Sequence, residues 1–304
     1  MLEFSIIVPT YNRPRQLGEC LDSLADLDYP HEAFEVIVVD DGSEQPVDEA
    51  VARQQTSLQL TVLRQENGGP AAARNTGLSR VDSEYVAFTD DDCRPDRSWL
   101  RVFNTAAHEF PGAMLGGHTI NSIDRLSPEA SQRIIDMVYG FYNANPTDSR
   151  LFTTNNMTLP MRTIRKIGLF ETAFYRQAGG EDRELCDRWR HSGYQLVYVP
   201  DARVFHSHEM TPAGFWRQHF NYGRGAFHYH RTRYRRAASH PAEDLSFYRE
   251  LPSLARGVLK GLPGTRALGV LGMMAIWQVA NASGFAWEAL VSALRPAPAQ
   301  DDSR

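Results

Sequence analysis

Short apolar runs recur through the first hundred residues, each closed by a polar or turn-forming cluster. Residues 4–8 run into Pro9, and residues 34–39 into Asp40-Asp41-Gly42-Ser43. Residues 58–63 precede Asn67-Gly68-Gly69-Pro70, and residues 85–89 run into Asp90-Asp91-Asp92. Between these runs the apolar spacing turns helical. Leu17, Leu21 and Leu24 mark a helix over 14–27, and a weaker one is expected at 46–55. Pro70 is placed to begin a helix over 71–78, and another spans about 96–110. Strands this short and uniformly apolar are buried on both faces. Their alternation with helices predicts an α/β architecture, a mostly parallel Rossmann-like sheet covered by helices.

In such sheets ligands bind beyond the carboxyl ends of the strands. That rule gathers the polar signals on one edge: Thr10, Tyr11 and Asn12 after the first strand, Asp40 and Asp41 after the second, the Gly-Gly turn leading to Arg74 and Asn75 after the third, and the aspartate triplet after the fourth. If the fourth strand stays extended, alternate side chains share a face, so Asp90 and Asp92 converge while Asp91 points away. Two hard oxygen donors on one side suit Mg²⁺ or Mn²⁺. The plainer alternative is a solvated acidic turn that caps the next helix. Asp41 can accept from the imide N–H of uracil or thymine or from a guanine edge, or it forms a turn with Gly42. Arg74 can meet a phosphate at a helix N-terminus, or it is a surface cation. Taken together these positions describe a nucleotide-diphosphate pocket.

Downstream, a strand is expected over 114–121 and a helix over 133–142. Residues 153–157, which include Asn156, form a polar cluster either beside a sugar or in a plain turn. Gly179-Gly180-Glu181-Asp182 opens a helix that Gly193 ends. Its two carboxylates are either capping groups that favour the macrodipole or a second reactive site.

The chain has 304 residues, 42% apolar and 23% charged, a net charge of −5 and pI near 6.1. This is an ordinary globular composition and argues against a general nucleic-acid binder. Cys20, Cys93 and Cys186 are scattered with no CxxC pair, consistent with a reducing compartment and no structural zinc. The first twelve residues lack a basic region and a long apolar core, so they read as a strand and not a signal peptide. A cytoplasmic protein is expected, at the inner face of the cell membrane if its tail docks there.

VPTYNR, VVDDGS, GGPAAARNTG, FTDDDCRP and GGEDRELCDRWRHSGY occur in this order within roughly residues 4–210. Together they resemble the family 2 inverting glycosyltransferases of the GT-A fold. The resemblance implies a catalytic domain over 1–210 that moves a sugar from a nucleotide-diphosphate donor to an acceptor hydroxyl on a glycan, lipid-linked or other acceptor. It matches Thr10, Tyr11, Asp41 and Arg74 to donor-nucleotide positions, and with the strand-end and polar-cluster readings the expected donor contacts further include Pro9, Asn12, Asp40, Gly69, Asn75, Asp90, Asp91 and Asn156. It equates Asp90 and Asp92 with the DxD metal pair, and the run VPDARVFH nominates His206 as a further ligand of Mg²⁺ or Mn²⁺. It makes Asp182 the general base, supported by Glu181. Rival readings are a nucleotidyltransferase, or a non-catalytic nucleotide-sugar scaffold.

Past residue 210 the composition changes. Residues 210–242 hold no Asp or Glu but six arginines interleaved with aromatics, and Thr211-Pro212 should begin a helix. An aromatic and basic segment here closes over the donor in many family members, which implies that Trp216, Arg217 and His219 lie near the site. Residues 267–287 carry no charge and are just long enough to span a bilayer, yet Gln278, Asn281 and Glu288 recur near one helical face. A span, an interfacial helix and a helix packed on the catalytic domain all remain open for this helical extension, 211–294. Residues 295–304 read as a flexible end.

Overall fold

The computed structural model describes residues 3–45, 47, 51, 57–172, 179–236 and 242–294. Eight strands form one sheet in the order β3-β2-β1-β4-β7-β6-β8-β5. These are β1 (Phe4–Thr10), β2 (Phe34–Asp40), β3 (Leu60–Arg64), β4 (Tyr85–Phe88), β5 (Cys93–Pro95), β6 (Met114–Asn121), β7 (Met157–Pro160) and β8 (Leu196–His206). The first four are mutually parallel, β6 and β8 are parallel, and the remaining pairs are antiparallel. The mixed sheet is the α/β architecture that the alternation of runs predicts.

Alternation along the strands explains the layering. Phe4, Ile6, Val8, Val36 and Val38 point into one core with Leu17, Leu21 and Leu24 of α1 (Pro14–Ala25) and Trp99 and Phe103 of α3 (Trp99–Glu109). Ile7, Ile37 and Val39 point to the other face, where they meet Ala71, Ala73 and Leu78 of α2 (Pro70–Leu78). Both faces of β1, β2 and β4 are therefore dry, which is why those strands read as unbroken apolar runs, whereas β3 at the sheet edge is largely exposed, against the expectation of burial on both faces. The helix expected at 46–55 falls largely outside the described residues, although Val47 and Val51 are buried and the Val51 N–H donates to the Val47 carbonyl. The flexible end expected at 295–304 lies wholly outside them.

The second half adds α4 (Leu126–Tyr142), α5 (Met161–Ile167) and α6 (Glu181–His191), then three long helices: α7 (Pro212–Arg236), α8 (Ala242–Leu259) and α9 (Gly264–Leu294). The Thr211 hydroxyl accepts from the Gly214 N–H, so the expected cap and first-turn proline start α7. A third core joins these helices to the sheet domain through α4, with Ala130, Ile134 and Met137 packed among Phe215, Phe247, Val270 and Met274. Helices α7 and α9 run side by side in the same direction, as His219 meets Trp277, Phe227 meets Phe285 and His228 meets Glu288. A Cβ on Gly284 would lie 1.9 Å from the Phe220 carbonyl oxygen, so only glycine permits that crossing. Glu288 is buried there between Arg224 at 2.7 Å and His228 at 3.0 Å. The polar side of α9 is thus turned inward against α7.

Candidate active site

The carboxyl ends of β1, β2 and β4 meet at a cluster of acidic groups, each held by cationic or hydrogen-bonding partners. Strand β4 stops at Phe88, and Asp91 and Asp92 sit in a turn whose Cys93 N–H donates to the Asp90 carbonyl. Strand alternation therefore does not apply, and the expected convergence of Asp90 with Asp92 is corrected. Asp90 turns to Arg74, whose Nη2 lies 2.8 Å from its carboxylate. Asp91 and Asp92 instead share Arg13, each at 3.1 Å, and Asp91 also accepts from the Thr10 hydroxyl at 2.8 Å.

Asp92 lies deepest in a basic setting. His206 Nε2 is 3.1 Å from one of its oxygens and His208 Nδ1 is 3.0 Å from the other, with the two imidazoles stacked. Burial alone would raise this carboxyl, but the hydrogen bonds from His206 and His208 and the charges of His206 and Arg13 hold it well below the usual carboxylate range. Burial pulls the other way on His206, and contact with Asp92 raises it. Ligand atoms of Asp92, Cys93 and His206 lie within 4.8 Å of one another, and no other group of metal-binding donors of this kind occurs among the described residues. Burial pushes the Cys93 thiol well up, which disfavours its thiolate, and the other two donors are a carboxylate and an imidazole. That set suits Mn²⁺ or Mg²⁺ better than a thiophilic metal. Asp90, expected as a ligand, is engaged by Arg74 instead.

Arg74 is the hinge of the site. It is 3% exposed, its Nη1 lies 3.0 Å from Glu181, and its guanidinium stands over Phe170. Arg74 therefore ties the turn after β4 to the start of α6, 107 residues beyond Arg74 itself. The surface-cation alternative is excluded. Burial opposes its charge, and Asp90 and Glu181 more than compensate. Gly180, in the left-handed region at φ 101°, precedes Glu181 and turns α6 toward this point. Asp182 follows on the same turn. Burial first and the neighbouring Glu181 second push its carboxyl up to about 7, although the Arg183 N–H donates to it. Tyr222 of α7 packs against Gly179, and its hydroxyl accepts from Gln218.

Several expected donor contacts have structural duties. Asp41 is buried and accepts from Gln65 and from the N–H groups of Gly68 and Gly69, fixing the turn that starts α2. Gly69, at φ 87°, occupies a backbone region that side chains avoid. Asp40 accepts from the Ser43 N–H and pairs with Arg64. The Asn75 amide exchanges two hydrogen bonds with the backbone of Phe170. Asn156 is corrected most sharply. It accepts from the Trp99 indole and donates to the carbonyls of His118 and Ala202, so its amide is consumed inside the fold and not beside a sugar. Pro9 sits within β1, Asn12 adopts φ 56° and holds the Glu44 N–H, and Tyr11 is exposed at the rim. His219, expected near the donor, is buried against Phe215 with Trp277 nearby, and burial lowers it to about 4. Sequence reasoning missed Arg13 and His208. An Arg in the first-strand loop and a second His two residues beyond His206 were the available signals.

Residues 5–169 match the family model for glycosyl transferase family 2. The chain belongs to this family. Similar to this glycosyltransferase is AglE of Haloferax volcanii, 28% identical over 73% of this chain and 72% of that protein. The pre-mycofactocin glycosyltransferase of Mycobacterium tuberculosis is 31% identical over 68% of this chain but only 43% of its own length. Among solved structures, the mannosyltransferase PcManGT of Pyrobaculum calidifontis, in complex with GDP-Man and Mn²⁺, matches with TM-score 0.61 and 20% identity over 96% of this chain and 80% of that one. Residues 1–349 of Staphylococcus aureus TarS, in complex with UDP-GlcNAc, match with TM-score 0.54 and 18% identity over 96% of this chain and 92% of that one. At these identities the structural likeness carries the fold, which is GT-A.

Proposed function

We propose that this glycosyltransferase is an inverting enzyme in which Asp182 removes the proton from an acceptor hydroxyl. The hydroxyl oxygen forms the new bond at the anomeric carbon while the bond to the diphosphate oxygen breaks on the opposite face. The proton goes to the Asp182 carboxylate and the electron pair leaves with the nucleoside diphosphate. A carboxyl near 7 is matched to this task, since it is substantially ionised at neutral pH yet basic enough to take a proton. The observation that carries the reading is the Arg74 bridge, which sets Glu181 and Asp182 beside the strand-end aspartates. Base and leaving group then act across one pocket.

The donor is a nucleoside diphosphate sugar, the class named for TarS and PcManGT. Tyr11 and Arg13 at the rim face the nucleotide, Thr10 holds Asp91 behind them, and Asp41 and Gly69 shape the loop beneath it. Asp92 and His206 would hold a divalent cation, with His208 fixing the carboxylate. Such a cation, when bound, offsets charge on the departing diphosphate. Arg74, paired with Asp90 and Glu181, fixes the placement of both acidic groups around that region.

The direct test incubates the enzyme with UDP-, GDP- and dTDP-sugars and a hydroxyl acceptor panel, then reads product configuration by NMR. An anomeric centre inverted relative to the donor supports the reading. Retention of configuration, or turnover by an Asp182→Asn protein above half the wild-type rate, refutes it.

A further inference from the structure

The helices beyond residue 210 present a surface that catalysis at the strand ends does not use. Leu268, Leu271, Ala275, Val279, Ala286 and Leu290 of α9 follow each other at helical spacing, and all are exposed, with Leu268 at 70% and Val279 at 55%. The free side of α9 is therefore an apolar stripe along a 31-residue helix, about 46 Å long at 1.5 Å per residue. Only 28% of its most apolar window is buried. Charge is segregated in the same sense. Residues 211–294 hold ten Lys and Arg against four Asp and Glu, net +6, while residues 1–210 hold twenty against thirty-one, net −11. From residue 251 to 294 the single carboxylate is Glu288, which is buried against α7. Because α7 and α9 run in the same direction, exposed Arg231, Tyr234 and Arg235 at the end of α7 accompany exposed Trp287 and Leu290 at the end of α9.

We propose that the outer face of α9, with the C-terminal end of α7, docks this protein in the interfacial plane of an anionic lipid bilayer. An apolar stripe bordered by cations and aromatics is the pattern of a helix lying at the headgroup boundary. Charge selects the occupant: Arg233, Arg236 and Arg266 are paired with carboxylates of the sheet domain, but Arg231 and Arg235 stand exposed beside the end of the stripe, where a second copy would oppose them with like charge and an anionic bilayer complements them. Packing selects the orientation. The inner side of α9 is committed to α7 through the Gly284 crossing and the Glu288 pairs. A span would pull Glu288 away from Arg224 and His228 into hydrocarbon. An in-plane helix keeps those contacts and buries only the side that is already free. The inference does not depend on which group acts as catalytic base.

Vesicle flotation of the full chain tests it. The protein should float with phosphatidylcholine vesicles that contain phosphatidylglycerol, float poorly with phosphatidylcholine alone, and be partly released by salt. The triple change Leu271→Glu, Val279→Glu and Leu290→Glu should abolish flotation while leaving the melting temperature and helix content as in the parent. If that protein fails to fold, Arg231→Gln with Arg235→Gln gives an independent reading, with binding expected to weaken roughly fivefold for each charge removed. The proposal is overturned if the parent ignores anionic vesicles or if both variants float as the parent does. It is also overturned if the parent elutes as a dimer that the triple change dissociates, or if membrane-bound protein resists both salt and alkaline carbonate, as a span would.

Discussion

Asp92, buried at a strand end, and Asp182, half-buried at the start of α6 beside it, are the same side chain, yet they are driven in opposite directions. Around Asp92 stand two imidazoles and a guanidinium, and its carboxyl is held down. Beside Asp182 stands another carboxylate, while the nearby guanidinium of Arg74 is spent on Asp90 and Glu181, and its carboxyl rises to about 7. Burial costs both groups the same kind of desolvation. The neighbours decide the sign. One carboxylate stays ionised across the physiological range and the other can exchange a proton near neutrality, which suits the separate roles proposed for them.

The comparison can be broken most severely at Asp182. Asp182→Asn should reduce turnover by about 10²–10⁴-fold while leaving donor binding intact, as measured by steady-state rates and donor titration. Removing partners of Asp92 should act on the cation instead. His208→Gln should raise the Mn²⁺ concentration for half-maximal donor binding by about 10–100-fold, followed by calorimetry, with a smaller effect on the bound-state rate.

How much of this was legible before the structure depends on where each partner lies in the chain. The buried strands declared themselves because both of their faces are dry, and α2 because Pro70 follows two glycines. The edge that gathers the polar signals followed from the rule that parallel sheets bind ligands beyond the carboxyl ends of their strands. What failed was detail fixed by remote contacts. Asn156 is satisfied by Trp99, His118 and Ala202, and Asn75 by Phe170, none of them near in sequence. The pairing of Asp90 with Arg74 instead of Asp92 turned on the strand ending at Phe88, one residue earlier than its apolar pattern suggested. On α9, the polar residues indicated a special face, but only the position of α7 shows that this face turns inward.

Two finer effects sharpen the contrast. Arg74 favours the ionised form of Asp182, so Arg74→Met should move the acid limb of kcat/KM toward higher pH, while Asp92 keeps its charge. The smallest effect is on stability. A carboxyl raised in the folded state binds more protons than in the unfolded chain between its ordinary value and about 7, so its ionisation lowers stability as pH rises through that window. Asp182→Asn should therefore raise the melting temperature at pH 8 and change it little at pH 4.

The most direct measurement is a pH titration of protein labelled with ¹³C at the aspartate side-chain carboxyls, with Asp182 assigned by loss of its signal in Asp182→Asn. A midpoint near 7 for Asp182, with the Asp92 signal remaining that of an ionised carboxylate to the acid limit of folding, is the predicted result. An Asp182 midpoint in the ordinary carboxylate range near 4 would contradict the division of roles between the two acidic sites.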